Sequence, residues 1–180
     1  DSCFGLTTPP SPFFGFLELI RSLKMTDQRV YCVGGALRDL LLSRPIHDVD
    51  VVTDQDVFGL AKRVANRAGG GFYVLDAERK IARVLLPARR AAQGGPATLD
   101  FAQMRGGGIE EDLFQRDFTI DAMAVDVEEA SRLIDPLLGQ ADLRAKVLRP
   151  CSPSSFEDDP VRVVRAARLA PLLGFHLEPG

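Results

Sequence analysis

The chain has 180 residues, of which 46% are hydrophobic, enough to bury one ordinary core, or one domain and the start of another. Its formal net charge of −3 leaves no global electrostatic footprint for nucleic acid and, with the arginines unevenly placed, neither demands nor excludes an RNA partner. Cys3, Cys32 and Cys151 are odd in number and widely spaced, which argues against a disulfide framework or a zinc site of ordinary spacing and fits an intracellular compartment, cytoplasmic or organellar.

Residues 1–12, rich in Ser, Thr and Pro, read as a disordered lead-in. Phe13 to Lys24 has a helical pattern; its apolar part is interrupted by Glu18 and closed by Arg21, so it is too short to span a bilayer. Val30 to Val33 is a short apolar run ending at Gly34-Gly35, as a buried strand would, and Ala36 to Ser43 places Leu37, Leu40 and Leu41 on one helical face. Asp48 to Thr53 alternates acid and valine and reads as the next strand. Val57 to Arg67 is an amphipathic helix closed by Gly69-Gly70-Gly71, and Phe72 to Leu75 and Ile81 to Leu86 are strands joined by a charged turn. Pro87 to Pro96 reads as a surface loop and Thr98 to Gln103 as a strand broken by Arg105-Gly106-Gly107-Gly108. From Ile109 to Leu148 short apolar runs alternate with turn residues, and Pro160 to Leu173 is a terminal helix stopped by Gly174. The start at Asp1 without a methionine, and the stop just after a helix that still needs a partner, predict a piece of a longer protein.

Two glycines after a buried strand let the backbone approach a ligand closely, with amides at the start of the next helix favouring phosphate; the plainer alternative is a tight turn. Arg38, one turn on, suits either a phosphate contact or an acid partner such as Asp39. Asp48 and Asp50, two apart on a strand, present two carboxylates on one face, where a hard divalent cation would relieve their repulsion. A solvated strand is the alternative. Asp100, between apolar neighbours in Thr98-Leu99-Asp100-Phe101-Ala102, is the candidate third acid, read as pointing inward; otherwise it is an edge-strand charge facing water. Asp159 and Arg162, three apart where a helix begins, offer an acceptor and several donors from neighbouring positions, or else Asp159 caps the helix and Arg162 is solvated.

The string Val33-Gly34-Gly35-Ala36-Leu37-Arg38-Asp39-Leu40-Leu41-Leu42 followed by Asp48-Val49-Asp50 resembles the signature of class II tRNA nucleotidyltransferases and bacterial poly(A) polymerases. Three further motifs follow in order: Arg116-Asp117-Phe118-Thr119-Ile120-Asp121-Ala122-Met123-Ala124; Asp135-Pro136 with Gly139 and Asp142-Leu143; and Asp158-Asp159-Pro160-Val161-Arg162 with Arg165. The resemblance implies an α+β fold, a polymerase-beta-like head with a small mixed sheet and flanking helices over residues 13–149, and the start of a helical neck over residues 150–180. It implies that Asp48, Asp50 and Asp100 hold Mg2+ in a two-metal site, and that Gly34, Gly35 and Arg38 contact the triphosphate. Arg116, Asp117 and Asp121 would steady ribose and phosphates, while Asp159 and Arg162, with Arg165 beside them, would read the base.

The implied reaction adds CMP or AMP from CTP and ATP to the 3′ end of tRNA, releasing pyrophosphate. Complete CCA addition, CC or A addition and poly(A) synthesis share these motifs, and a nucleotide-binding fragment with little catalysis is the reading from another class. Two positions depart from the family pattern: Asp121 stands where many members have asparagine, and Asp158 where glutamate is usual, with Glu157 adjacent.

Overall fold

The computed structural model describes residues 12–89 and 94–178. The lead-in up to residue 11 and the centre of the 87–96 loop lie outside them. The chain forms two compact units, one of the described residues up to Met104 with Ala124–Leu133, the other of Arg105–Met123 with the described residues from Ile134 onward.

The first unit contains α1 (Pro12–Leu23), β1 (Val30–Val33), α2 (Gly35–Leu41), β2 (Asp48–Thr53), α3 (Val57–Ala68), β3 (Gly71–Asp76), β4 (Ile81–Leu85), β5 (Thr98–Gln103) and β6 (Ala124–Asp126). The strands run in the order β3-β4-β5-β2-β1-β6, with the two-residue β7 (Leu133–Ile134) at the far edge. β2 and β5 pair in parallel, whereas β1 with β2, β1 with β6, β3 with β4 and β4 with β5 are antiparallel. The sheet is therefore mixed, and the fold is α+β.

Alternation decides what each face of this sheet carries. Across β2, β5 and β4 the rows Val49-Leu99-Val84 and Val51-Phe101-Ala82 are in register, and all six side chains are fully buried. Each larger one contributes about 1.5–3 kcal/mol by leaving water. α3 packs against β3, β4 and β5, burying Val57, Leu60, Ala61, Val64, Ala65 and Ala68, a helical apolar stripe. α1 packs on α3 through Phe13, Phe16, Leu17 and Ile20, spaced i, i+3, i+4 and i+7. The other face carries Asp48, Asp50, Asp100 and Arg83 in its alternate rows.

The second unit contains α4 (Ile109–Phe114), a 3₁₀ turn (Thr119–Asp121), α5 (Gly139–Ala145), β8 (Val147–Leu148), α6 (Ser155–Asp158), α7 (Val161–Leu173) and β9 (His176–Leu177), the last paired in parallel with β8. Leu113, Phe118, Ile120, Met123 and Leu148 are its most deeply buried apolar side chains. A buried polar knot ties the turn to α5: Thr119 Oγ1 donates to Asp142 Oδ2 (2.6 Å) and Arg149 Nε to the same oxygen (3.0 Å). α7 ends as its sequence requires, at Gly174 with φ 69°.

Candidate active site

In the first unit, Gly34 leaves β1 with φ 78° and ψ −146°, a backbone conformation close to the region reserved for glycine. Its carbonyl accepts from the Leu37 amide at 3.1 Å, starting α2. Arg38 forks onto Asp39, Nε to Oδ1 at 2.9 Å and Nη2 to Oδ2 at 3.1 Å. The same guanidinium lies 3.1 Å from where a Cβ on Gly35 would stand, so the second glycine makes room for the arginine. Of the two sequence readings for Arg38, pairing with an acid is the one present.

Val33, the residue before the turn, is in register with Asp50 on β2, which sets the glycine turn beside the Asp48-Asp50 end of that strand. Asp48 and Asp50 are exposed while Val49 between them is buried, so both carboxylates stand on the face away from the core. Thr98 Oγ1 donates to Asp48 Oδ1, across the in-register pair Asp48 and Thr98. Asp50 is in register with Asp100 on β5, and Asp100 with Arg83 on β4. Arg83 forks onto Asp100, Nε to Oδ1 at 2.8 Å and Nη2 to Oδ2 at 2.7 Å.

This geometry corrects the sequence reading of Asp100 on both counts. β5 is an interior strand, and the residues pointing into the core are Leu99 and Phe101; Asp100 lies partly exposed on the opposite face with Asp50. Among the described residues no three His, Cys, Asp or Glu side chains form a ready-made metal cluster, and both oxygens of Asp100 accept from Arg83. The donors on this face are nonetheless all hard oxygens, the kind that magnesium takes.

In the second unit, Arg116 donates from Nε and Nη2 to Asp112 Oδ2 at 3.1 and 3.0 Å, while Arg105 donates its amide and Nε to Oδ1 at 3.0 and 3.1 Å. The Asp112 side chain is 1% exposed. Burial pushes its carboxyl up, but the charge of Arg116 and the hydrogen bonds and charge of Arg105 outweigh that and hold it below its ordinary value. Asp117, also buried, has Arg165 Nε 2.8 Å from Oδ2 in an ion pair whose geometry is out of line for a hydrogen bond.

Arg162 donates to Ser155 Oγ at 2.7 Å and to the Gln115 carbonyl at 2.9 Å, and its Nε is 4.0 Å from Asp159 Oδ2. Asp159 Oδ1 accepts the Val161 amide at 3.1 Å, so its capping role is present. Asp158 accepts from Ser154 Oγ at 2.8 Å and, like Glu157, is exposed on α6. Asp121 is buried at the end of the 3₁₀ turn.

Arg116, Asp117, Asp121 and Arg162 all act electrostatically on Cys151, whose thiol is pushed up to about 12, by burial first and then by Asp117. Four of the predicted residues thus lie within electrostatic reach of one thiol, which burial keeps protonated. Arg83, Thr98, Asp112, Gln115 and Ser155 are partners that the motifs did not name. For Asp112 alone a sequence signal existed, an acid four residues before Arg116 on a helix.

Residues 30–149 match the profile of the poly(A) polymerase head domain. The chain is 47% identical over 145 residues to a CC-adding tRNA nucleotidyltransferase of Geobacter sulfurreducens, covering 81% of this chain and 32% of that protein. It is 40% identical over 158 residues to an A-adding tRNA nucleotidyltransferase of Aquifex aeolicus, covering 83% and 19%. Among solved structures it is similar to a tRNA nucleotidyltransferase complexed with a primer tRNA and an incoming ATP analog, with a TM-score of 0.75 and 37% identity over 89% of this chain and 46% of that one. The chain thus spans about a third or less of the length of these curated relatives. No helix among the described residues is long and apolar enough to cross a membrane. With the profile matched over most of its length and the signature residues on the strands and turns described, the chain belongs to the family of class II tRNA nucleotidyltransferases and poly(A) polymerases, whose head domain it carries.

Proposed function

We propose that the protein is a metal-dependent, template-independent nucleotidyltransferase that adds CMP and/or AMP from CTP and ATP to the 3′ end of tRNA, releasing pyrophosphate. The observation that carries this reading is the Asp48, Asp50 and Asp100 face: two neighbouring exposed carboxylates with a third in register, beside a glycine turn. Bound Mg2+, as a pair of ions held by these carboxylates, would lower the pKa of the attacking 3′-hydroxyl and stabilise the leaving pyrophosphate. Gly34, Gly35 and Arg38 would take the triphosphate. Arg116, Asp117 and Asp121 would hold sugar and phosphates. Asp159 and Arg162, with Arg165, would read the base edge.

Residues 13–149 would be the head and residues 150–180 the start of a helical neck, in a protein working on tRNA inside the cell. The names of the relatives favour tRNA over poly(A) synthesis, and CC addition by the Geobacter protein, at the higher identity, favours CTP as one substrate. The test is incubation of the protein with tRNA lacking its terminal CCA and with CTP, ATP, GTP or UTP singly, in Mg2+ or EDTA. Incorporation of C or A that needs Mg2+ is expected. Nucleotide binding without extension of any RNA would replace the proposal with a binding role, and long A tracts on unrelated RNA would replace tRNA with poly(A) synthesis.

A further inference from the structure

We propose that Arg83 is a positioning residue of the carboxylate face: it holds Asp100 in line with Asp50 and supplies the positive charge against which a divalent cation must compete for that carboxylate. This rests on the reading of Asp48, Asp50 and Asp100 as the metal-facing acids.

The fold does not need an arginine here. β4 is fixed between β3 and β5 by its ladders and by Ala82 and Val84 on the core side, and the side chains of Arg83 and Asp100 are 41% and 24% exposed, a setting in which an ion pair adds little stability. What the fork does is local. Adjacent strands lie about 4.8 Å apart, so the in-register carboxylates of Asp50 and Asp100, with Asp48 two residues along β2, repel one another unless a cation stands among them. Arg83 reduces three negative charges to a net of two.

A fork also fixes direction, since two parallel N–H donors hold the carboxylate plane as a single ammonium does not. Both Asp100 oxygens are engaged. A cation therefore approaches this carboxylate against the charge of Arg83, while the carboxylate it meets is already aimed.

The experiment measures Mn2+ affinity without nucleotide, from the loss of the free-ion electron paramagnetic resonance signal, in the full chain and its variants. Arg83→Met is expected to bind Mn2+ about tenfold more tightly than the parent, because one positive charge has left the face. Arg83→Met combined with Asp100→Asn is expected to fall back to the parent affinity or below. An Arg83→Met protein with unchanged circular dichroism and equal or weaker Mn2+ affinity overturns the proposal, as does a double variant that keeps the gain. If Arg83→Met does not fold, Arg83→Gln carries the same expectation. Asp50→Asn separates this from the underlying reading: Mn2+ binding that survives it intact contradicts the metal role of the face, whatever Arg83 does. A merely structural arginine would not tighten cation binding when removed.

Discussion

Gly34 shows how much a single residue contributes to the site. At φ 78° and ψ −146° an alanine Cβ would be strained, so Gly34→Ala is expected to lower stability by about 1–3 kcal/mol, read as a shift in the urea midpoint. Asp112 is the second such residue. Its carboxyl is held below its ordinary value, so the stability it contributes is fully present above the unfolded pKa and is lost as pH falls through the folded one. Stability followed by circular dichroism should therefore fall as the pH drops below 3.8, the ordinary value of the group, and Asp112→Asn should flatten the pH dependence there. Asp112→Ala leaves Arg105 and Arg116 without their shared partner and is expected to cost about 3–5 kcal/mol. A loss below about 1 kcal/mol would show that water replaces the carboxylate.

At the scale of elements, the sequence was most legible where a period or a glycine marked a boundary. β1, β2 and β5 have the bounds read from their apolar runs, and α3 stops at a glycine with positive φ, as its closing glycines required. What could not be read was register. That Arg83 faces Asp100 is a relation between strands, set by β4 pairing antiparallel with β5, and nothing within Ile81–Leu85 announces it. The inward reading of Asp100 failed for a different reason: its neighbours Leu99 and Phe101 took the core face, and period two sent the acid the other way.

Between Ile109 and Leu148 the helices have six and seven residues, too short for a 3.6 period to emerge. There a glycine is the better marker. A Cβ on Gly139 would strike the Thr119 carbonyl, backbone that cannot swing aside, so Gly139→Ala is expected to destabilise by about 1–3 kcal/mol in thermal melts. A neutral outcome would mean that the 3₁₀ turn shifts freely.

For the molecule as a whole, the motifs identified the family and left the substrate open, because the carboxylates and glycines would serve any nucleotidyl transfer while base choice, in the reading proposed above, would rest on a few side chains around Asp159 and Arg162. In the structure those two are held by capping and by Ser155 and Gln115, contacts that the motif spacing alone did not contain. The central claim is metal-assisted nucleotidyl transfer from the Asp48 and Asp50 face. Its most direct test is extension of tRNA lacking CCA by the protein at full length, comparing the parent with Asp50→Ala. The account predicts that the variant keeps its circular dichroism and loses addition by roughly 10²–10³-fold or more; a folded Asp50→Ala protein that still adds nucleotides at the parent rate would contradict it.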